Sequence, residues 1–289
     1  METQPLIVVV GPTASGKTAM AINIAKQFDG EIICADSRTV YKGMDIGTAK
    51  PTESEQSEVK HWGLDLVEPN ERFTVADFKR YADERIADIR MRGKVPLLVG
   101  GSGLYVDSVI FDYQFGLDAD GDTRSKFMEM TLDQLYDYCT EHNVVLPENY
   151  KNKRYVIRAI EQGTINNKRR PQPINNCNIV GIATETDVLK TRIAQRAEQI
   201  FDEGVVDEAT RLGGVYGWEY ESMTGNIYPL CRQYIQGTLT FSEMKERFIV
   251  LDWRLAKRQL TWLRRNEYIK WYNAQDAERY IAGLLESEH

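Results

Sequence analysis

Apolar residues along this chain come first in short unbroken runs and then at intervals of three and four. Leu6–Val10, Glu31–Ala35 and Val95–Val99 are runs of about five residues bounded by turn residues, which predicts buried strands. Ala19–Phe28 has apolar residues at helical spacing and predicts a helix. Thr74–Arg92 predicts another, with Thr74 as its cap and Phe78, Tyr81, Ile86 and Ile89 on or near one face. This alternation runs from Leu6 to about Phe111 and then stops. Asp118–Asp122 is turn chemistry, Thr123 to about Gln162 reads as helical with no strand, and Asn166–Asn178 reads as a return linker. Asn178–Thr184 predicts one more strand, and long helices follow it. The expected architecture is an α/β core with a parallel sheet, residues 1–112 and 171–289, interrupted by a small helical insertion over 113–170.

The turn after the first strand changes this from an architecture into a candidate site. Gly11, Pro12, Thr13, Ala14, Ser15, Gly16, Lys17 and Thr18 fit the phosphate-loop pattern, and the flanking strand and helix are what that loop requires. A glycine-rich turn running into a helix N-terminus aims backbone N–H groups and the positive end of the helix dipole at one point. A phosphate or diphosphate belongs there, with Lys17 adding charge and the Thr18 hydroxyl placed to ligate Mg²⁺. The core is therefore expected to be of the phosphate-loop NTPase kind. Phosphoryl transfer usually wants a second strand ending in a metal-holding acid. Val95–Val99 ends instead in Gly100-Gly101-Ser102-Gly103, whereas Glu31–Ala35 ends in Asp36. Strand C-terminal ends gather round the ligand crevice of such a sheet. Asp36 is then either a carboxylate that organises a metal or a general base facing the reacting group, and spacing alone leaves both open.

Composition narrows the partners. The chain has 289 residues, 42% hydrophobic and 27% charged, as in a globular protein, and no apolar run approaches the ~20 residues that span a bilayer. The N-terminus leads straight into the first strand without a basic stretch, so no signal peptide is expected. Cys34, Cys139, Cys177 and Cys231 are scattered and form no zinc motif, and a reducing cytoplasm is the expected setting. The net charge is −7, yet Lys151–Arg170 carries seven basic residues against one acidic, and Lys245–Lys270 eight against three. A solvated helix face explains either segment alone. Two of them beside a phosphate loop in an acidic chain point to a nucleic-acid partner.

Several further segments carry a resemblance. Asp36-Ser37 is followed by the run Tyr41-Lys42-Gly43-Met44-Asp45-Ile46-Gly47-Thr48-Ala49-Lys50-Pro51, then Ala76-Asp77-Phe78, Pro96–Ser102 with Leu104-Tyr105, Val156–Glu161, and Ala256–Trp262. In this order, over almost the whole chain, they resemble the tRNA dimethylallyltransferases. The resemblance implies transfer of a dimethylallyl group from dimethylallyl diphosphate to the exocyclic amine of the tRNA adenosine 3′ of the anticodon, at position 37, with release of pyrophosphate. It implies a diphosphate seated in residues 11–18 with Mg²⁺ on Thr18, and Asp36, Ser102 and Lys17 as the catalytic set. By the same resemblance Asp36 is the general base and Ser102, where the family usually has Thr, donates to the leaving group. An adenine extruded from its stack is expected against Ser37, Arg38 and Thr39. The anticodon stem-loop is expected on Arg124, Arg154 and Arg158 of the insertion and on Lys257, Arg258 and Arg264 of the core. Trp253 and Trp262 could stack on bases, although a Trp on an amphipathic helix is more often core. A monomer with no membrane contact is expected.

The sequence departs from the family in two places, the insertion and the segment at Ile227–Pro229. The insertion is short, Lys151-Asn152-Lys153-Arg154-Tyr155 replaces an Asn-Asp start, and Ile227-Tyr228-Pro229 replaces Gly-Tyr followed by a basic residue. Two other readings share parts of the pattern. A prenyltransferase acting on free adenine nucleotide would use the loop and Asp36 without an insertion, and a phosphate-loop nucleotide kinase would want an acid after Val99.

Overall fold

The computed structural model describes residues 4–115, 126–147, 149–162 and 169–287. The expected turn at Asp118–Asp122, Arg124 and Lys168 lie outside the described residues. The chain divides into two units, residues 1–110 with 175–289 and residues 111–174.

The apolar runs of the first unit form strands β1 (Leu6–Val10), β2 (Gly30–Ala35), β4 (Val95–Gly100) and β5 (Cys177–Ile182). They are joined by two short strands, β3 (His61–Trp62) and β6 (Lys270–Tyr272). All pair in parallel, in the order β3-β2-β4-β1-β5-β6. Val10 lies opposite both Gly100 and Gly181, and Ala35 opposite Gly100, so four strands end at one level. That level is where a parallel sheet presents its ligand crevice. Gly100 is small for a reason: a Cβ there would run into the Ala35 carbonyl.

Alternate strand residues face opposite sides of the sheet. Ile7, Val9, Ile32, Cys34, Leu97, Val99, Val180 and Ile182 bury one side against helices α1 (Lys17–Gln27) and α11 (Ala274–Ser287). The short α2 (Glu53–Glu58) starts with a capping box of Thr52 and Glu55. Helix α3 (Val75–Met91) begins as expected, with Thr74 and Asp77 in a capping box, and buries Phe78, Ile86 and Ile89. It packs on β4 and on α4 (Gly103–Ile110).

A second helical layer follows β5. Helix α7 (Thr186–Asp202), α8 (Val205–Tyr216), α9 (Tyr228–Ile235) and α10 (Phe241–Leu263) enclose Val40, Tyr41, Met44, Phe248 and Tyr228 in one apolar cluster. Long helices to the C-terminus were expected here, and β6 corrects that. The strand is three residues long, too short to show a period of two, and it separates α10 from α11. β3 escaped notice for the same reason, at two residues.

The second unit contains α5 (Leu132–Glu141) and α6 (Lys153–Gln162), with no strand among its described residues. The helical reading of 123–162 is interrupted between them. Asn143 takes a left-handed backbone and Pro147 follows it, which ends α5. Val156 and Ile157 of α6 pack on Phe127, Leu135 and Cys139, which leaves Arg154 exposed and Arg158 half-buried. No helix among the described residues is long and apolar enough to cross a membrane.

Candidate active site

The phosphate loop is held open toward a cavity of about 1040 Å³ lined by Thr13–Met20, Asp36–Thr39, Gly47–Ala49 and Ser102. Ala14 and Gly16 both have positive φ, 61° and 88°. At Gly16 this backbone delivers the chain into α1 with no side-chain cap. The first amides of that helix therefore lack intrahelical partners and face a ligand site. Gly11 keeps the loop tight, since a Cβ there would lie 2.7 Å from Ser15 Oγ. That hydroxyl is itself buried without a hydrogen-bond partner. Lys17 Nζ donates to the Pro12 carbonyl at 3.3 Å. Desolvation of the ammonium pulls its pKa down to about 8; Asp36 opposes that fall and Arg196 adds to it.

Asp36 stands at the tip of β2, half-buried, with one carboxylate oxygen accepting the Arg38 amide at 2.8 Å. Ser102 stands at the tip of the adjacent β4. Its Oγ accepts from the Ser37 amide at 3.2 Å, its own amide donates to the Ala35 carbonyl at 3.3 Å, and its carbonyl starts α4. The two strand tips are thus stitched together, and Asp36, Ser102 and Lys17 line one cavity as the sequence predicts. Beside them Cys34 is a bystander: burial and the Asp36 charge push its thiol up to about 12. Arg38 also lines the cavity, with its guanidinium donating to the Glu221 carbonyl at 2.7 Å and to Thr224 Oγ1 at 3.1 Å. Thr39 is buried, its hydroxyl donating to the Asp36 carbonyl.

Five further residues of this cavity, which the sequence did not single out, are linked to the phosphate loop or to one another. Arg192 on α7 donates to the Ser15 carbonyl at 3.1 Å, and Arg196, one turn later, donates to Thr13 Oγ1 and to the Thr48 carbonyl. Gln259 on α10 accepts the Thr13 amide at 2.8 Å. Asp252, buried on the same helix, accepts from Asn226 at 3.0 Å and faces Arg196 at 3.8 Å. Arg192 and Arg196 carry a readable signal, two arginines at helical spacing after a strand that flanks β1. Gln259 and Asn226 carry none, because one amide in a helix or loop looks like any other.

The run Tyr41–Pro51 reaches the cavity wall at Gly47–Ala49 and Pro51 and is otherwise tied into the surrounding fold. The buried Glu208 carboxylate on α8 accepts the amides of Asp45, Ile46 and Gly47 at 2.8–2.9 Å and the Tyr228 hydroxyl at 2.9 Å. Lys50 is buried and donates to the Tyr41 carbonyl and to Asp45 and Asp65. A Cβ on Gly47 would lie 2.7 Å from Tyr228 Oη. Tyr228 belongs to the departing segment Ile227-Tyr228-Pro229, and Pro229 occupies the first turn of α9, where a missing N–H costs nothing.

The remaining predicted nucleic-acid residues divide between the units. Arg258 lines the cavity, and Lys257 and Arg264 are exposed on or next to α10. Lys257 and Lys190 both lie over the Trp253 ring, at 5.6 and 5.7 Å. Trp262 covers Gly103 and donates to Asp107 at 2.7 Å. Arg154 and Arg158 lie on α6 of the second unit.

The sequence pattern described as IPP transferase matches residues 39–266, and that described as isopentenyl transferase matches residues 4–67. The tRNA dimethylallyltransferase of Desulforudis audaxviator is 39% identical, covering 98% of both chains. That of Anoxybacillus flavithermus is 37% identical, over 94% of this chain and 91% of its own. Among solved structures, the tRNA isopentenylpyrophosphate transferase of Bacillus halodurans superposes with a TM-score of 0.75 at 35% identity, covering 98% of this chain and 97% of its own. A eukaryotic dimethylallyltransferase, solved acting on tRNA, shares the fold with a TM-score of 0.79 at 20% identity. Alike in sequence from end to end and in fold, the chain belongs to the IPP transferase family, that of the tRNA dimethylallyltransferases.

Proposed function

We propose that the chain transfers the dimethylallyl group of dimethylallyl diphosphate to the exocyclic amino nitrogen of adenosine 37 in tRNA. The observation that carries this reading is one cavity holding a phosphate loop, a strand-tip carboxylate and a strand-tip hydroxyl. The amine nitrogen forms a bond to the allylic carbon while the bond from that carbon to the diphosphate oxygen breaks, and pyrophosphate leaves with the electron pair. Asp36 takes the amine proton, which an aromatic amine gives up only with help. Lys17, the amides of residues 16–18 and the Ser102 hydroxyl offset the charge that grows on the leaving group.

Mg²⁺ fits this donor set. Thr18 presents a partly exposed hydroxyl to the cavity, and no cluster of three metal-ligating side chains exists among the described residues. Mg²⁺ commonly takes its other oxygens from phosphates and water. When bound, it would supply further positive charge beside the leaving group.

The acceptor is read as an anticodon stem-loop. Arg154 and Arg158 of the second unit, with Lys257 and Arg258 of the first, would neutralise its phosphates. The chain is read as a monomer. The four cysteines are free, and three of them are buried, which supports a reducing cytoplasm. The test is mass spectrometry of nucleosides after incubation with tRNA and dimethylallyl diphosphate. A prenylated adenosine confined to position 37 is expected; prenylation of free AMP with none on tRNA overturns the reading. A salt titration checks the grip: Arg154→Ala with Arg158→Ala should lower the slope of log affinity against log salt by about 2.

A further inference from the structure

Thr13 is the third residue of the phosphate loop, and two side chains rooted on α10 fix it. Gln259 accepts its amide directly. Asp252, two turns earlier on that helix and buried, faces Arg196, which donates to the Thr13 hydroxyl. The Gln259 amide also lies flush on the β4 turn: a Cβ on Gly101 would come within 2.5 Å of its Nε2 and 3.0 Å of the Gly11 carbonyl. One turn beyond, Trp262 covers Gly103 on the other side of Ser102. Ala256, Phe248 and Leu263 bury one face of the helix in the core. Its exposed face carries Arg254, Lys257 and Arg258. The amide of Thr13 is thereby withdrawn from the diphosphate cradle, and the shape of what remains depends on where α10 sits.

We propose that Gln259, with Asp252 acting through Arg196, is a positioning residue that fixes the phosphate loop at Thr13 and ties donor affinity to polyanion docking on Lys257 and Arg258. The coupling rests on the RNA acceptor read above; the anchoring of the loop does not. Anything that pulls on the basic face of α10 then shifts the loop, and by linkage the donor must alter RNA affinity by the same factor.

The experiment titrates Mg²⁺-pyrophosphate with and without an anticodon stem-loop RNA in the full chain, using wild type, Gln259→Met, Gln259→Glu and Asp252→Asn. In the wild type, RNA should tighten pyrophosphate several-fold. Gln259→Met should weaken pyrophosphate alone about 3- to 10-fold, the range of one lost hydrogen bond. It should also abolish the tightening and leave affinity for RNA alone unchanged. Gln259→Glu keeps the acceptor for the Thr13 amide and should restore the tightening ratio, which a merely structural residue would not do. Asp252→Asn should show the same pattern more weakly, and it carries the test if Gln259→Met does not fold. Unchanged pyrophosphate affinity in Gln259→Met overturns the anchor, and independent binding of the two ligands to wild type overturns the coupling. A wild type that binds pyrophosphate but no RNA overturns the acceptor reading, and the anchor is then judged on pyrophosphate alone.

Discussion

Two glycine-rich stretches of the first unit, residues 11–18 and 41–51, differ in where their polar groups go. In the loop, helix α1 starts uncapped, Ser15 Oγ has no partner, and the ammonium of Lys17 is desolvated at a cavity wall. In the run, Lys50 and the amides of Asp45, Ile46 and Gly47 all find partners inside the chain. The loop leaves groups for something else to complete, whereas the run, although Gly47–Ala49 reach the cavity wall, satisfies these groups internally. An unusually specific stretch of sequence thus measures how many internal partners it must satisfy at once. Groups left unsatisfied mark the face where a ligand belongs.

The sharpest test sets the carboxylate beside the loop, Asp36, against the one that staples the run, Glu208. Asp36→Asn should lower turnover by about 10² to 10⁴, the contribution of a positioned general base. Pyrophosphate affinity and stability should stay near wild type, because the Arg38 amide can still donate to the side-chain oxygen of Asn. Single-turnover prenylation of tRNA is the measurement, and near-normal rates would remove Asp36 from its role. Glu208→Ala should do the reverse. It strands three buried amides and the Tyr228 hydroxyl, and so should cost about 3 kcal/mol. A urea midpoint that does not move would show that the staple on residues 45–47 carries little of the fold.

The same contrast explains what could be read from sequence alone. Strands β1, β2, β4 and β5, α3 with its cap, and the closeness of Asp36 to the phosphate loop and Lys17 followed from apolar runs and turn chemistry, which are local signals, whereas Ser102 followed from the family resemblance. The partners of those residues did not. Gln259 reaches Thr13 across most of the chain, and Glu208 reaches residues 45–47 from another helix. Neither contact leaves a mark on the sequence around it. Strands of two and three residues, β3 and β6, were invisible because a period needs length. The break after Glu141 was missed because Asn143 and Pro147 sit inside an otherwise helical composition.

The loop's openness should also show in its response to pH. Lys17 has a pKa of about 8 without ligand. Below that pH its charge is present and favours an anion; above it the charge is lost unless the anion restores it. Pyrophosphate affinity should therefore fall as pH rises through 8, by up to ~10-fold per pH unit while the free enzyme is deprotonated and the complex is not. Lys17→Met should bind more weakly at pH 7 and lack this decline. Comparing the two chains cancels the ionisation of pyrophosphate itself. A parallel pH dependence in both would assign the effect to another group.

The smallest effect expected separates backbone geometry from packing. Gly16 has a φ of 88° with open space around it: an added Cβ would find only Arg192 Nη1, at 3.5 Å. Gly47 has ordinary φ but no room, with Tyr228 Oη at 2.7 Å and Ile227 Cγ2 at 2.9 Å from an added Cβ. Gly16→Ala should therefore cost only the left-handed strain, about 1 kcal/mol, and should weaken pyrophosphate as the amides of Gly16 and Lys17 shift. Gly47→Ala should cost more in stability, because it pushes Tyr228 away from Glu208, yet leave pyrophosphate binding nearly as in wild type. Denaturant midpoints and pyrophosphate titrations on both variants make the comparison. Equal effects of the two substitutions on pyrophosphate would mean that the run reaches the ligand as directly as the loop does, and the division between an open and a completed region would not hold.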